Sequence, residues 1–537
     1  MSLMLTLPAR PAAKPGCARQ VFELRGLQRR RGPSYRGQYA ARRCLATQTK
    51  RTANNHPLAY TWLTRTPGEI TPDDVLSSLP SIPSSRLVSN PIPIILVTPS
   101  FASWIDPSHT FLEQWINRLY RNQPSEGSHG SAHAFVAIVD KLPDTSRKSN
   151  NAPEEDIEEY EGISVMLSRA ENIQGKVAAP RRLRATDAPE AALVFSVQTN
   201  TPHAAGEALR QPIHEVGLRL ANTIFLNGKE NTLFGTRWAY DASSSSFSLG
   251  QTVDLSRCLI TSNTESISSS LGLPLYPVGR RRKVVTSMGN ILRQITKHAD
   301  GQSMEPMPAS AELEKELPCY IEEHNILDQR VSVWALIESP DKDGADRTPD
   351  DLTKAIQAGG KLHHVMSGGG GWGKKQGLLS LDPEISFLVP SDDGEPVGMN
   401  GLFSPQAGGS LPDRLPSLDQ RVIIDDLSSL SQVARAGDYI QFFVSILPEH
   451  DQSGSLAPEE TPSYHFGVVT DSESPLPPSN TASEQKNLIH VPNRFGALSE
   501  KAVTYLQPVT PASLEGEVLE TGTKLNMPGA RISLVLE

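Results

Sequence analysis

Cysteine is scarce and scattered in this chain: Cys17, Cys44, Cys258 and Cys319 form no CxxC pair, so neither a disulfide framework nor a cysteine zinc site is indicated. Hydrophobic residues reach only 38% of 537, below the usual share, while proline (43) and glycine (39) are plentiful. No apolar run approaches eighteen residues, which excludes a membrane-spanning helix. No internal repeat is visible, and no serine, cysteine or histidine stands in a nucleophile–base pattern. The apolar residues that are present come in dense blocks between polar stretches. That distribution predicts folded modules with long loops, and 537 residues suit about two domains plus unstructured segments.

Acidic residues are nearly absent from the first fifty-one positions. Residues 1–51 hold twelve Lys/Arg and one acid, Glu23, which leaves 39 basic and 59 acidic residues in the remainder, a net of −20. The stretch "QRRRGPSYRGQYAARRCLATQTK" has the composition of a mitochondrial presequence, with cleavage expected near Cys44. A basic tail for nucleic acid or a membrane surface is the plainer alternative. With the leader removed the mature chain is acidic, which argues against a broad nucleic-acid surface.

Residues 52–85 are polar and proline-rich and read as a linker. "PIPIILV", "HAFVAIVD", "GISVMLS", "AALVFSVQT" and "VSVWALIES" read as strands by apolar density. Phe111, Leu112, Trp115, Ile116 and Leu119 recur at helical spacing, with Ser108 or Thr110 as the expected cap. "NTIFLNGKENTLFGTRWAYD" reads as a hairpin whose strands Thr223–Leu226 and Thr232–Trp238 flank Asn227-Gly228. "PASAELEKELPCYIEEH" is helical, broken or ended at Pro318, and "PDDLTKAIQAGG" is a helix closed by Gly359. "SNNAPEEDIEEYE", "PEHDQSGSLAPEETPS" and "DSESPLPPSNTASEQK" read as disordered insertions. Strands outnumber helices and do not alternate with them. The expected fold class is therefore α+β, with mixed, largely antiparallel sheets, flanking helices and long disordered insertions.

Two stretches carry ligand chemistry. "MSGGGGWGKKQG" gives G-x-x-x-x-G-K-K over Gly368–Lys375, one position short of a phosphate-binding P-loop. The departure matters, because Lys375 replaces the Ser/Thr that holds magnesium. The context is also thin, because the preceding run is only "KLHHVM" and Pro383 follows closely. Without the motif, the physics still stands. Gly368, Gly369, Gly370, Gly371 and Gly373 allow successive N–H groups to converge on an anion, Lys374 and Lys375 add charge, and Trp372 could cover a ligand. A flexible hinge with solvated lysines is the bland reading of the same residues. In "TSMGNILRQI", Gly289 and Asn290 are placed between a strand and a helix, with Asn290 capping a helix N-terminus that faces a ligand. "NRFGALSE" reads as a turn, with Gly496 before a short helix and Ser499 as a cap. His363 and His364 are adjacent, so in a strand they point to opposite faces and make poor joint metal ligands.

The blocks "LANTIFLNGKENTLFGTRW", "RRKVVTSMGNILRQI" with "PASAELEKEL", and "HHVMSGGGGWGKKQGLLSLDPE" resemble a group of filamentous-fungal mitochondrial proteins assigned to the FIST family, a sensory module. The resemblance covers most of residues 90–530. It implies small-ligand sensing, with amino acids proposed as ligands and no established catalysis, and it carries no binding residue over. The expected organisation is a presequence over 1–50, a linker over 51–88, a FIST-like N-terminal sensory region over 89–300 and a C-terminal α/β region with the glycine loop over 301–537. The expected function is a mitochondrial, matrix-located, soluble protein that binds a small molecule, an amino acid or an anion, without catalysis and with no cofactor assigned. A nucleotide- or phosphate-dependent protein using residues 368–375 and a matrix scaffold or assembly factor are the alternatives.

Overall fold

A computed structural model describes residues 59–536 apart from 84–90, 107–108, 123–130, 144–158, 179–190, 200–212, 300–302, 327–330, 341–344, 369–376, 385–395, 405–431, 447–460, 471–487 and 507–521. The described residues form an α+β structure in which strands dominate and mixed sheets, largely antiparallel, are flanked by a few helices.

The largest sheet is organised around Pro91–Val97, which is buried at every position. An all-apolar run of this length has no solvent face, so it takes the middle of the sheet. It pairs antiparallel with Glu159–Arg169 and parallel with Ser131–Ile138. A parallel pair needs a crossover, and the helix Phe111–Leu119 supplies it. That helix buries Phe111, Leu112, Trp115, Ile116 and Leu119 in one cluster with Trp62, Ile95, Val97 and Trp238. Its cap differs from expectation. Thr110 makes no side-chain cap, and the Phe111 N–H donates instead to His109 Nδ1 at 3.1 Å. Ser108 lies outside the described residues.

Several expectations need correction. The expected linker is not one: Ala59–Thr64 is a strand between Glu159–Arg169 and Leu488–Pro492, and Pro72–Ser78 is a helix with a Thr71/Asp74 capping box. Its polar sequence hid core residues: Trp62 and Val75 are each about 1% exposed and belong to one cluster. Residues 300/301 mark no break in the pairing either. Ile213–Arg219 pairs with Val503–Leu506, and Leu275–Met288 pairs with Tyr439–Ser445. The Thr223–Leu226 run is not a strand. Ile224–Asn227 forms one helical turn ended by Gly228 at φ 73°, and only Leu233–Asp241 continues as a strand. Helix Ser310–Glu323 runs through Pro318 instead of ending there. Glu159–Glu161, at the end of the expected acidic loop, already belongs to a strand.

A second sheet orders Ile267–Gly272, Arg531–Leu536, Ser463–Val468 and Arg494–Ser499, the last two in parallel. "NRFGALSE" is therefore a strand, buried at all six positions from Arg494, and not a turn before a helix. Gly496 serves close strand approach: a Cβ there would lie 1.9 Å from the His465 carbonyl oxygen. Hydroxyl groups bond this sheet to the first. Thr61 Oγ1 is 2.8 Å from Ser164 Oγ and donates to the Arg494 carbonyl at 2.8 Å.

The third sheet closes on itself. Leu275–Met288, Tyr439–Ser445, Ser332–Glu338, Lys361–Gly368, Leu379–Leu381 and Ile291–Thr296 pair in that order, and the last pairs back to the first. The result is a six-stranded antiparallel barrel filled by Val278, Val284, Leu292, Ile295, Ala335, Ile337, Leu379, Leu381, Ile440, Phe442 and Val444. Helix Ser310–Glu323 adds Ala309 and Leu313 to this core.

A bulge in the first barrel strand spreads three arginines. Gly279 adopts φ 78°, and the register shifts between Val278 and Arg282. Arg280, Arg281 and Arg282 then reach Asp346 at 2.6 Å, Glu338 at 2.9 Å and Glu312 at 2.7 Å. The Arg281 side chain is fully buried, lies 4.3 Å from the Tyr439 ring centroid and shares Glu338 with Arg347. Removing the shared carboxylate leaves buried positive charge uncompensated. Glu338→Ala should therefore lose about 3–5 kcal/mol of stability in a denaturant titration, and a loss below about 1 kcal/mol would contradict this reading of the network.

Candidate functional site

The glycine-rich segment is framed by strands. Lys361–Gly368 leads in, and Leu379–Leu381 leads out and pairs back to it, with Gly368 opposite Leu379. Gly369, Gly370, Gly371, Trp372, Gly373, Lys374 and Lys375 lie outside the described residues. Among the described residues the segment is followed by the strand Leu379–Leu381 and not by the long helix a P-loop opens. The two strands that frame the segment are neighbours in the barrel. At Gly368 a Cβ would lie 2.2 Å from Leu379 Cδ2, so a larger residue there requires that methyl to shift. At the other end, the Gly377 carbonyl accepts the Ser310 N–H in the first turn of helix Ser310–Glu323.

Gly289 and Asn290 form the turn of a hairpin, and no helix follows them. Ile291–Thr296 is a strand, so the helix-terminus reading of Asn290 is wrong. Gly289 takes φ 58°, as a tight turn demands, and Leu292 and Ile295 turn into the barrel. The Asn290 amide is already engaged, donating to the Leu381 carbonyl at 2.9 Å. The turn meets the Leu381 end of Leu379–Leu381, and the glycine segment leaves from the Leu379 end. The two expected ligand segments are thus separated by the length of a three-residue strand, about 7 Å.

Residues 432–438 border the barrel end beside Gly289. Val433 N–H donates to the Gly289 carbonyl at 3.1 Å, Ser287 Oγ donates to the Ala434 carbonyl at 2.6 Å, and Gly437 N–H donates to the Val284 carbonyl at 2.8 Å. These bonds hold Arg435 and Asp438 near the start of the strand Lys361–Gly368, and the Asp438 carboxylate accepts the Arg435 N–H at 2.7 Å. Lys361 pairs across from Ile337, and His363 pairs across from Ala335, so both share the inward face. Lys361 is half-buried. Among the described residues no carboxylate stands within ion-pair distance of its ammonium, and its pKa is lowered by burial, then by Arg435, against a smaller opposing effect of Asp438.

His363 is 2% exposed, and its Nδ1 is 2.8 Å from the Asp382 carbonyl. A carbonyl only accepts, so Nδ1 carries the proton and donates. Nε2 is then an acceptor, with no hydrogen-bond partner among the described residues. Burial pushes the imidazole pKa down to about 4, so the ring is neutral in any cellular compartment. His364 lies on the other face, 5.0 Å from the Trp334 ring. The two imidazoles therefore diverge, as the strand period requires.

The sequence reading missed a second charged centre. The carboxyl ends of two parallel pairs, Pro91–Val97 with Ser131–Ile138 and Ser463–Val468 with Arg494–Ser499, come together at Asp140. Its carboxylate accepts the Glu500 N–H at 2.8 Å, and beside it the Leu498 N–H donates to the Lys141 carbonyl at 2.8 Å. Lys141 pairs with Glu161 at 2.5 Å. Burial pushes the Asp140 pKa up to about 6, partly offset by the Glu500 N–H. "HAFVAIVD" shows an acid at a strand end, but not that a partner 360 residues away ends there too.

No protein-family model, no curated protein and no solved structure matches the chain. Fold and geometry define its class as a mixed α+β protein with an antiparallel barrel.

Asp140 gives a pH prediction. Its folded pKa exceeds the unfolded value near 3.9, so it disfavours the fold whenever it must ionise. That loss is absent below about pH 4 and complete above about pH 6. Asp140→Asn should gain roughly 1–3 kcal/mol at pH 8 and nothing at pH 4, read by urea unfolding at both values. Equal effects at the two pH values would rule out an ionisation penalty.

Proposed function

We propose that this chain is a mitochondrial, non-catalytic, small-ligand-binding protein of the FIST-like sensory kind, acting in the matrix. The observation that carries the reading is Lys361, an inward-facing, half-buried ammonium with no ion pair among the described residues. Desolvating a cation without compensation opposes folding, so an anionic ligand at the barrel end would relieve that penalty. The resemblance of three sequence blocks to FIST proteins points the same way, and the basic, acid-poor residues 1–51 support import. One observation favours the scaffold alternative: Phe225 is 99% exposed between half-exposed Ile224 and Leu226, an apolar tip suited to a partner protein.

A thermal-shift screen of the mature chain against organic acids, amino acids and nucleotides tests the reading. A ligand at a hundred times its Kd adds about 2.7 kcal/mol and raises Tm by a few degrees, and Lys361→Met should abolish the shift. No shift from any class would remove the ligand-binding reading and favour the scaffold. Separately, residues 1–51 fused to a fluorescent reporter should carry it into mitochondria, whereas a cytosolic reporter would discard the matrix assignment.

A further inference from the structure

The His363 ring adds a second constraint at the same barrel end. An ammonium alone selects for negative charge and accepts any anion of suitable size. The Nε2 lone pair selects further. It is buried and fixed as an acceptor by the Nδ1–H donated to the Asp382 carbonyl, and no group among the described residues donates to it. Lys361 and His363 are two residues apart on one face of the strand, about 7 Å between Cα atoms, and Ala335 opposite His363 is a small side chain. The barrel interior is filled, so a small molecule that addresses both groups must enter from the half-buried Lys361 and displace side chains to reach Nε2.

We propose, building on the ligand-binding reading, that the barrel end takes a small hydroxycarboxylic acid, with its carboxylate on the Lys361 ammonium and its hydroxyl donating to His363 Nε2.

Other chemistries meet these two groups less well. A simple carboxylate satisfies Lys361 but leaves the buried acceptor bare. A fully ionised phosphate sets lone pairs against the Nε2 lone pair. A metal ion would find one nitrogen ligand beside an ammonium, and Arg435 adds further positive charge nearby. A hydroxyl is the neutral donor that satisfies Nε2 without bringing a second cation toward Lys361. Discrimination against the analogue lacking the hydroxyl should be large, because the unmet buried acceptor penalises the wrong ligand.

The test uses the full mature chain at pH 7.5 and low salt, titrated calorimetrically with lactate, propionate, lactamide and alanine. Lactate should bind at least tenfold more tightly than propionate, which lacks the hydroxyl, and than lactamide, which lacks the charge. Lys361→Met should remove the preference for lactate over lactamide. His363→Leu should remove the preference for lactate over propionate. Because a buried histidine variant can fail to fold, wild-type protein provides a second readout. The 15N resonance of His363 Nε2 should move upfield on adding lactate, as an acceptor nitrogen does when it gains a donor, and stay fixed on adding propionate. Equal binding of lactate and propionate, tighter binding of alanine, or an Nε2 resonance already shifted by a trapped water and unmoved by lactate overturns the proposal. If another class binds through Lys361, the hydroxy-acid assignment falls and the ligand-binding reading stands. If nothing binds, both fall.

Discussion

Charge enclosed by a closed sheet must be neutralised, because the interior offers no water to replace an absent partner. The barrel meets this demand with unusual thoroughness on one side. The Gly279 bulge lets three consecutive arginines leave the strand in different directions, and each finds its own carboxylate. Glu338 serves Arg281 and Arg347 together, and Glu312 is held by the Arg280 N–H and the Arg282 guanidinium. Against that background Lys361 and His363 Nε2 are exceptions of the same kind. One is a cation and the other an acceptor, both face inward, and among the described residues Lys361 has only the smaller pull of Asp438 and Nε2 has no hydrogen-bond partner. The arginines keep carboxylate partners even where a nitrogen such as Arg282 Nε makes no hydrogen bond, whereas Lys361 has no carboxylate partner among the described residues.

A different economy governs the place where the parallel strands end. Asp140 stitches the first sheet to the second through the Glu500 N–H, yet its ionised form is held in a buried position. Structural stitching alone does not need a carboxylate there, because an asparagine oxygen accepts the same hydrogen bond. The Lys141–Glu161 pair and the Lys141–Leu498 bonds keep the junction closed around it. The two centres differ in sign and in surroundings: one offers a cation to an apolar barrel, and the other keeps an anion between sheets.

How much of this was legible in the sequence follows physical lines. Pro91–Val97, Ser332–Glu338 and the helix Phe111–Leu119 were readable because burial on both faces, or on one helical face, writes itself as apolar runs. Ala59–Thr64 is hard to read because "AYTWLT" mixes hydroxyl and apolar residues, and the Thr61 hydroxyl bonds to the second sheet where water would be expected. "MGNILRQIT" looked helical because Leu292 and Ile295 sit three apart, a spacing that a bulged strand produces as well. The candidate site was half legible. Gly368 and Asn290 marked the right barrel, since Gly368 ends one of its strands and Asn290 stands in a hairpin turn between two others, while Gly369–Lys375 lie outside the described residues. Lys361 and His363, which face its interior, looked ordinary because neither spacing nor composition reveals an unanswered partner. That property belongs to the closed barrel and exists only once six strands from four parts of the chain have met.

The central claim is that Lys361 is a half-buried cation with no ion pair among the described residues, where burial and Arg435 outweigh Asp438. The most direct measurement is an NMR titration of the lysine side chains labelled at the ε-carbon, with Lys361 assigned by the Lys361→Met variant. The account predicts that Lys361 titrates below the ordinary lysine value of about 10.4 in the free protein and rises toward that value when the barrel end is occupied. A Lys361 that titrates at or above the ordinary value in the free protein would show that its charge is already met, and would contradict the account.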